Sequence, residues 1–229
     1  MDDNKILTRV RVWDLPTRIF HWALALAVIA LGVTGTVGSF NLMVWHFRLG
    51  YAVLALLLFR VLWGLVGGRW SRFSAFIYSP RTVIDYFKGK GNPANAAGHS
   101  PIGAGSVFAM LGLLLAQVAT GLVSDDEVAS AGPLTRFVSN ATVSLASNYH
   151  ANIGKWLLLG LVLLHIAAIV YYLLRKHNLV GAMLHGDKEL VEAVPSSRDD
   201  AASRIGALVL LLVCAAVAYW ISTLDAVAS

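Results

Sequence analysis

Four histidines lie inside apolar stretches of this 229-residue chain: His21, His46, His150 and His165. An ionisable ring in hydrocarbon is costly to keep and marks a function, and neutral imidazole is the commonest side-chain metal ligand. The stretch from Asn148 to Lys176 carries two of the four. At about 1.5 Å per residue, His150 and His165 are separated by roughly 22 Å along a helix, and the steps of about 100° between them end some 60° past whole turns. Both rings therefore project to broadly the same side. One helix faces two stacked sites.

The elements that position these rings follow from composition. The chain is 57% apolar and 14% charged, with a mean hydropathy of +0.67; a soluble domain of this length would not carry that on its surface. Five apolar stretches, near residues 17–38, 44–67, 105–123, 149–174 and 205–224, each approach the roughly 20 residues that span a bilayer. The expected fold is an all-α integral membrane protein: a four-helix transmembrane bundle over 1–187, then a linker and a fifth transmembrane helix over 188–229. The first stretch is too long for a signal peptide and lacks a small-residue cleavage site. A single cysteine, Cys214, excludes an intrachain disulfide, a multi-cysteine iron–sulfur site and covalent Cys-x-x-Cys-His haem attachment.

The net charge of +5 sits in short segments between apolar runs, where it sets topology rather than binding nucleic acid. Lys5, Arg9, Arg11 and Arg18 precede the first stretch; Arg69, Arg72, Arg81, Lys88 and Lys90 follow the second; Arg175, Lys176, Lys188, Arg198 and Arg204 lie between the fourth and fifth. These segments are expected on the cytoplasmic side of a bacterial inner membrane. The amino terminus is then inside, and the carboxyl-terminal segment from Asp225 to Ser229 is periplasmic.

With that orientation His46 and His150 lie at outer levels, and His21 and His165 lie further in. The pairing that fits is His46 with His150 outside and His21 with His165 inside. Zinc would need further ligands, and the apolar stretches contain no Asp or Glu. Haem iron takes two axial imidazoles on opposite faces, so two bis-histidine b-type haems account for all four rings. His46-Phe-Arg-Leu-Gly50 and His150-Ala-Asn-Ile-Gly154 share a His-x-x-x-Gly spacing. Gly50 and Gly154 thus leave a side-chain-free spot one turn from each ligand, for a macrocycle or for close helix packing.

The run Arg11-Val-Trp13-Asp14-Leu-Pro16-Thr17-Arg18-Ile-Phe-His21-Trp22 resembles the start of the bacterial and Ni-hydrogenase type cytochrome b561 family. Leu58-Phe-Arg60-Val-Leu-Trp63-Gly64-Leu-Val-Gly67, Gln117-Val-Ala-Thr120-Gly121-Leu122, and His150 with His165 followed by Tyr172-Leu-Leu-Arg-Lys-His-Asn178 also resemble it. The likeness covers residues 9 to 187. It implies a four-helix core with two b haems on His21, His46, His150 and His165, moving electrons between membrane quinone and a redox partner. That partner would be a periplasmic c-type cytochrome or a dehydrogenase or hydrogenase subunit. The fifth helix departs from the four-helix pattern, and its Gly206, Ala207, Cys214, Ala215 and Ala218 suit either a close helix contact, as in a homo-oligomer, or lipid.

Arg60 lies inside the second stretch without an acidic neighbour there. A haem propionate would satisfy it, and snorkelling to the headgroups is the alternative. Arg48 and Lys155 are similar candidates at the outer level. The seven tryptophans are expected in interfacial belts, residues 133 to 147 as a short helix on the outer surface, and His99, His177 and His185 in solvated connectors. A superoxide oxidase passing electrons to quinone is a competing reading, although Asp125, Asp126 and Glu127 of the outer loop favour a cationic partner. A histidine-based metal-ion carrier is a third.

Overall fold

Asp14 starts the first long helix: its Oδ1 accepts from the Thr17 amide at 2.8 Å, and Pro16 fits the first turn, where a missing N–H costs nothing. The computed structural model describes residues 8–37, 39–90, 97–128, 130–191 and 194–224. Lys5 and the segment Asp225 to Ser229, both used to assign topology, lie outside them. In chain order the elements are strand β1 (Thr8–Arg11), helices α1 (Leu15–Val37), α2 (Phe40–Val66), α3 (Pro80–Phe87), α4 (Pro101–Leu122) and α5 (Asn140–Asn148). There follow α6 (Lys155–Leu174), α7 (Leu179–His185), strand β2 (Asp187–Leu190) and α8 (Ala201–Ser222). A π-helical segment, Tyr149–Gly154, joins α5 to α6.

Among the described residues five helices are long and apolar enough to cross a membrane: α1, α2, α4, the continuous run Asn140–Leu174, and α8. The helical membrane architecture is the expected one. The fourth crossing helix starts nine residues earlier than its apolar stretch does, at Asn140 rather than 149. This corrects the separate surface helix expected over 133–147. Ser139 caps Asn140–Asn148 by accepting from the Thr142 amide at 3.3 Å, and no glycine or proline interrupts the chain before Gly154.

The chain divides into two compact units. One comprises the segment up to Ile19, Arg60–Phe108 and His165–Leu208. It holds the strands, which pair antiparallel with Arg9 opposite Glu189 and Arg11 opposite Asp187. This ribbon encloses a small core of Val10, Val12, Trp13 and Ala182. Several basic residues read as topology signals also have structural partners here: Arg9 and Arg11 meet Asp187 at 2.8 and 2.6 Å, while Arg11 and Arg204 meet Asp199, each at 3.0 Å. Asp14 is fully buried and satisfied, accepting from Ser71 Oγ at 2.7 Å, Gly68 N at 3.2 Å and Trp63 Nε1 at 3.3 Å. A buried carboxylate without those donors would be strongly unfavourable. Trp13 and Trp63 are thus core residues rather than belt residues, whereas Trp45, Trp156 and Trp220 are exposed as belt residues should be.

The other unit comprises Phe20–Phe59, Ala109–Leu164 and the segment from Val209. Here Ala218 of α8 packs with Leu54 and Ala55 of α2. Of the five small residues singled out in α8 above, Ala207, Cys214 and Ala218 are buried, and Gly206 and Ala215 are exposed. Small side chains allow this close approach of helices.

Candidate functional site

In the second unit α2 carries His46 and the π-helical segment carries His150. Their ring centres lie 6.1 Å apart with the planes at 89°. Each ring is partly buried and held by its Nδ1. The His150 Nδ1 is 2.8 Å from the backbone carbonyl oxygen of Gln117. A carbonyl only accepts, so Nδ1 carries the proton and Nε2 presents its lone pair. The His46 Nδ1 is 3.1 Å from Thr34 Oγ1, whose own proton is directed to the Ala30 carbonyl oxygen at 2.9 Å; the ring N–H donates there too. Such outer bonds fix the tautomer of a metal-binding imidazole and raise its basicity.

Glycines on neighbouring helices make room for the rings. A Cβ at Gly35 would stand 2.9 Å from His46 Cε1, and one at Gly121 would stand 2.8 Å from His150 Cε1. Each glycine follows a threonine, Thr34 in α1 and Thr120 in α4. The His-x-x-x-Gly glycines have unlike surroundings. A Cβ at Gly50 would meet open space, whereas at Gly154 it would collide with the Gln117 side chain and the Tyr149 ring. Gln117 holds His150 from its side chain as well, Nε2 donating to the His150 carbonyl at 2.9 Å. In the sequence Gln117, Thr120 and Gly121 stand together in a run with a family resemblance, and nothing local assigns them this role.

The π-helical segment explains the placement of His150. Such bulges hold one extra residue in a turn and occur at functional sites, and here the bulge re-phases the imidazole relative to the helix that follows it. No repeat or breaker in the sequence announces it.

His46 and His150 present two imidazoles across a short gap, and they are the residues that would hold a haem iron, which would supply one-electron chemistry there. No group of three or more His, Cys, Asp or Glu that could hold a metal ion occurs among the described residues. Two imidazoles do not by themselves complete a metal's coordination, and a porphyrin would supply the remaining ligands. Arg48 stacks on Trp45 at 5.2 Å and Lys155 on Trp156 at 5.6 Å.

His21, partly buried in α1, has Trp22 edge-on at 5.1 Å. His165, also partly buried, lies in α6. In the ribbon unit Arg60 is 3% exposed, so it does not snorkel. Its guanidinium sits 4.7 Å over the Phe73 ring, and Nη1 is buried with no hydrogen-bond partner among the described residues. The carboxylate of Asp14 lies near enough to act on Arg60 by charge, but the unsatisfied guanidinium nitrogen still calls for an acceptor, and a propionate carboxylate would be one.

His99 overturns its reading as a solvated connector residue. Its ring lies between Trp13 at 4.7 Å and Phe76 at 4.4 Å, with Nδ1 buried and unpaired among the described residues. Burial, with the charges of Arg60 and Lys188 adding to it, pushes its pKa down to about 3. Lys188 donates to the carbonyls of Ala97 and Gly98 at 2.9 and 3.1 Å, and burial pushes its pKa down to about 8. His177 and His185 are exposed, as expected.

A family model described as prokaryotic cytochrome b561 matches residues 12–186. A probable Ni/Fe-hydrogenase B-type cytochrome subunit of Rhodobacter capsulatus is 24% identical, the match covering 79% of this chain and 82% of that protein. The protein of the same name from Rhizobium leguminosarum bv. viciae is 25% identical over 78% and 88%. The one from Cupriavidus necator is 24% identical over 80% and 88%.

Proposed function

Because this chain belongs to the prokaryotic cytochrome b561 family, membrane proteins that carry electrons on haem b, we propose that it moves electrons across the bilayer through two bis-histidine haems. His46 and His150 hold the outer one and His21 and His165 the inner one. The observation that supports this reading is the close approach of His46 and His150, with ring centres 6.1 Å apart and each imidazole held through its Nδ1. The inner pair rests on the positions of His21 and His165 in the sequence alone. A bound haem supplies the one-electron iron couple.

The chain's residues orient the ligands, exclude water and set the potential. Thr34 and the Gln117 carbonyl make the imidazoles better donors, which favours oxidised iron. Arg60 neutralises a propionate and opposes that shift on its own haem. Gly35 and Gly121 keep the space into which the rings fit.

Electrons pass between the quinone pool and a periplasmic redox partner, with the amino terminus cytoplasmic and the carboxyl terminus periplasmic. The names of the relatives point to a hydrogenase subunit as that partner. The exposed Asp126 and Glu127 suit a cationic partner surface, such as that of a c-type cytochrome. Residues 1–187 form the di-haem domain, and 188–229 add the linker and the fifth span.

The test is a reduced-minus-oxidised visible spectrum with a pyridine haemochrome assay on purified protein. Expected are b-type bands and about two haems per chain. A colourless folded preparation, or one haem per chain, would overturn the reading.

A further inference from the structure

Where α2 ends and α8 begins, the ribbon unit contains a cavity of about 450 Å³. Its lining includes Arg69, Arg72 and Arg198, with Ser203 of the first turn of α8 and Val66 of the last turn of α2. Half of this wall lies outside the region matched by the family model, which stops at residue 186. The cavity therefore depends on the carboxyl-terminal extension. Arg198 forms an exposed pair with Asp200 at 3.3 Å, and Asp200 also caps α8 by accepting from the Ser203 amide at 2.8 Å. Asp14 lies behind the wall, accepting from the lining residues Gly68 and Trp63, so two carboxylates answer three guanidinium groups and the site remains cationic.

We propose that this cavity binds the phosphate headgroup of an anionic glycerophospholipid. The wall lies where two membrane-crossing helices end, which is the level of lipid headgroups, and basic pockets between membrane helices recognise anionic headgroups. Arginine suits phosphate through paired N–H donors. Apolar surface continues from the basic wall: Val66 is 71% exposed and Ile205, on the first turns of α8, is 62% exposed. Gly206, also in the lining, would meet open space if it carried a Cβ. A charged cup with an apolar strip beside it matches a headgroup joined to acyl chains better than free phosphate. The extension would thereby fasten α8 to the bilayer surface.

The test uses the full-length haem-loaded protein in neutral detergent, titrated with dioleoyl phosphatidylglycerol, with dioleoyl phosphatidylcholine and with inorganic phosphate. Native mass spectrometry reads occupancy, and the thermal midpoint reads stabilisation. Phosphatidylglycerol should bind saturably and stabilise, and the affinity should fall roughly fivefold for each arginine removed in Arg72→Gln and Arg198→Gln. Gly206→Phe, which fills the cavity without changing charge, should also abolish binding. Arg81→Gln, at a basic residue outside the cavity, should leave binding unchanged, and the haem spectrum should be the same in every variant. Equal binding of phosphatidylcholine would overturn the proposal, as would full stabilisation by inorganic phosphate, a loss with Arg81→Gln equal to that with Arg72→Gln, or unaltered binding by Gly206→Phe.

Discussion

His150 and Gln117 are tied twice: the imidazole Nδ1 donates to the Gln117 carbonyl at 2.8 Å, and the Gln117 side-chain amide donates to the His150 carbonyl at 2.9 Å. The first bond decides which ring nitrogen is left for iron. The second occupies a backbone carbonyl within the π-helical segment, whose irregular hydrogen bonding would otherwise leave it poorly matched.

If His46 and His150 grip one iron, replacing either must remove the same centre. His46→Ala and His150→Ala are each expected to lower haem content from about two per chain to about one, with identical residual spectra. His21→Ala and His165→Ala should leave the complementary spectrum. Loss of different centres from the first two variants, seen by redox titration or electron paramagnetic resonance, would break the pairing.

The glycine and threonine neighbours give a finer test. Gly35→Val and Gly121→Val place carbon within about 3 Å of an imidazole, below ordinary contact distance, and should weaken or abolish the outer haem while sparing the inner one. Thr34→Val keeps the shape but removes an acceptor from His46. Its imidazole becomes a weaker donor, so the outer potential should rise by some tens of millivolts, on a scale where about 59 mV is tenfold for one electron. Potentiometric titration reads both effects.

Arg60 should act on the other centre. A buried cation beside a propionate favours the reduced state, so Arg60→Gln is expected to lower the inner potential by tens of millivolts. Arg60→Lys should recover part of the loss, because charge returns without the planar fork. A shift confined to the outer haem would remove the propionate role.

The ribbon unit should respond to pH through His99 and Lys188. His99 is neutral when folded, with its pKa near 3, but takes a proton near pH 6.5 when unfolded. Its contribution is therefore complete above about pH 6.5, and stability falls as pH drops from there towards 3. Lys188 acts at the other end: with a folded pKa of about 8 against an ordinary 10.5, stability rises as pH climbs between those values. Thermal midpoints across the acid range should flatten in His99→Phe, while Lys188→Met should remove the alkaline rise. An unchanged acid slope in the first variant would show that other groups cause it.

Much of this protein is local information. Runs of about 20 apolar residues must be helices where no water can satisfy a backbone group. The five long apolar helices and the histidines within them were therefore legible from one chain, and depth arithmetic put His46 and His150 at one level, where their ring centres lie 6.1 Å apart with the planes at 89°. Tertiary structure decided what those rings touch. Gly35 and Gly121 earn their places only through imidazoles elsewhere in the chain, and the bulge that carries His150 balances helix phase against the Gln117 carbonyl. His99 looks like a solvated connector residue in the sequence and Lys188 like a topology signal. Their surroundings come from distant segments: His99 packs on Trp13 and Phe76, and Lys188 lies in a strand that pairs with one near the amino terminus some 180 residues earlier, and such pairings depend on chain closure that no local pattern records.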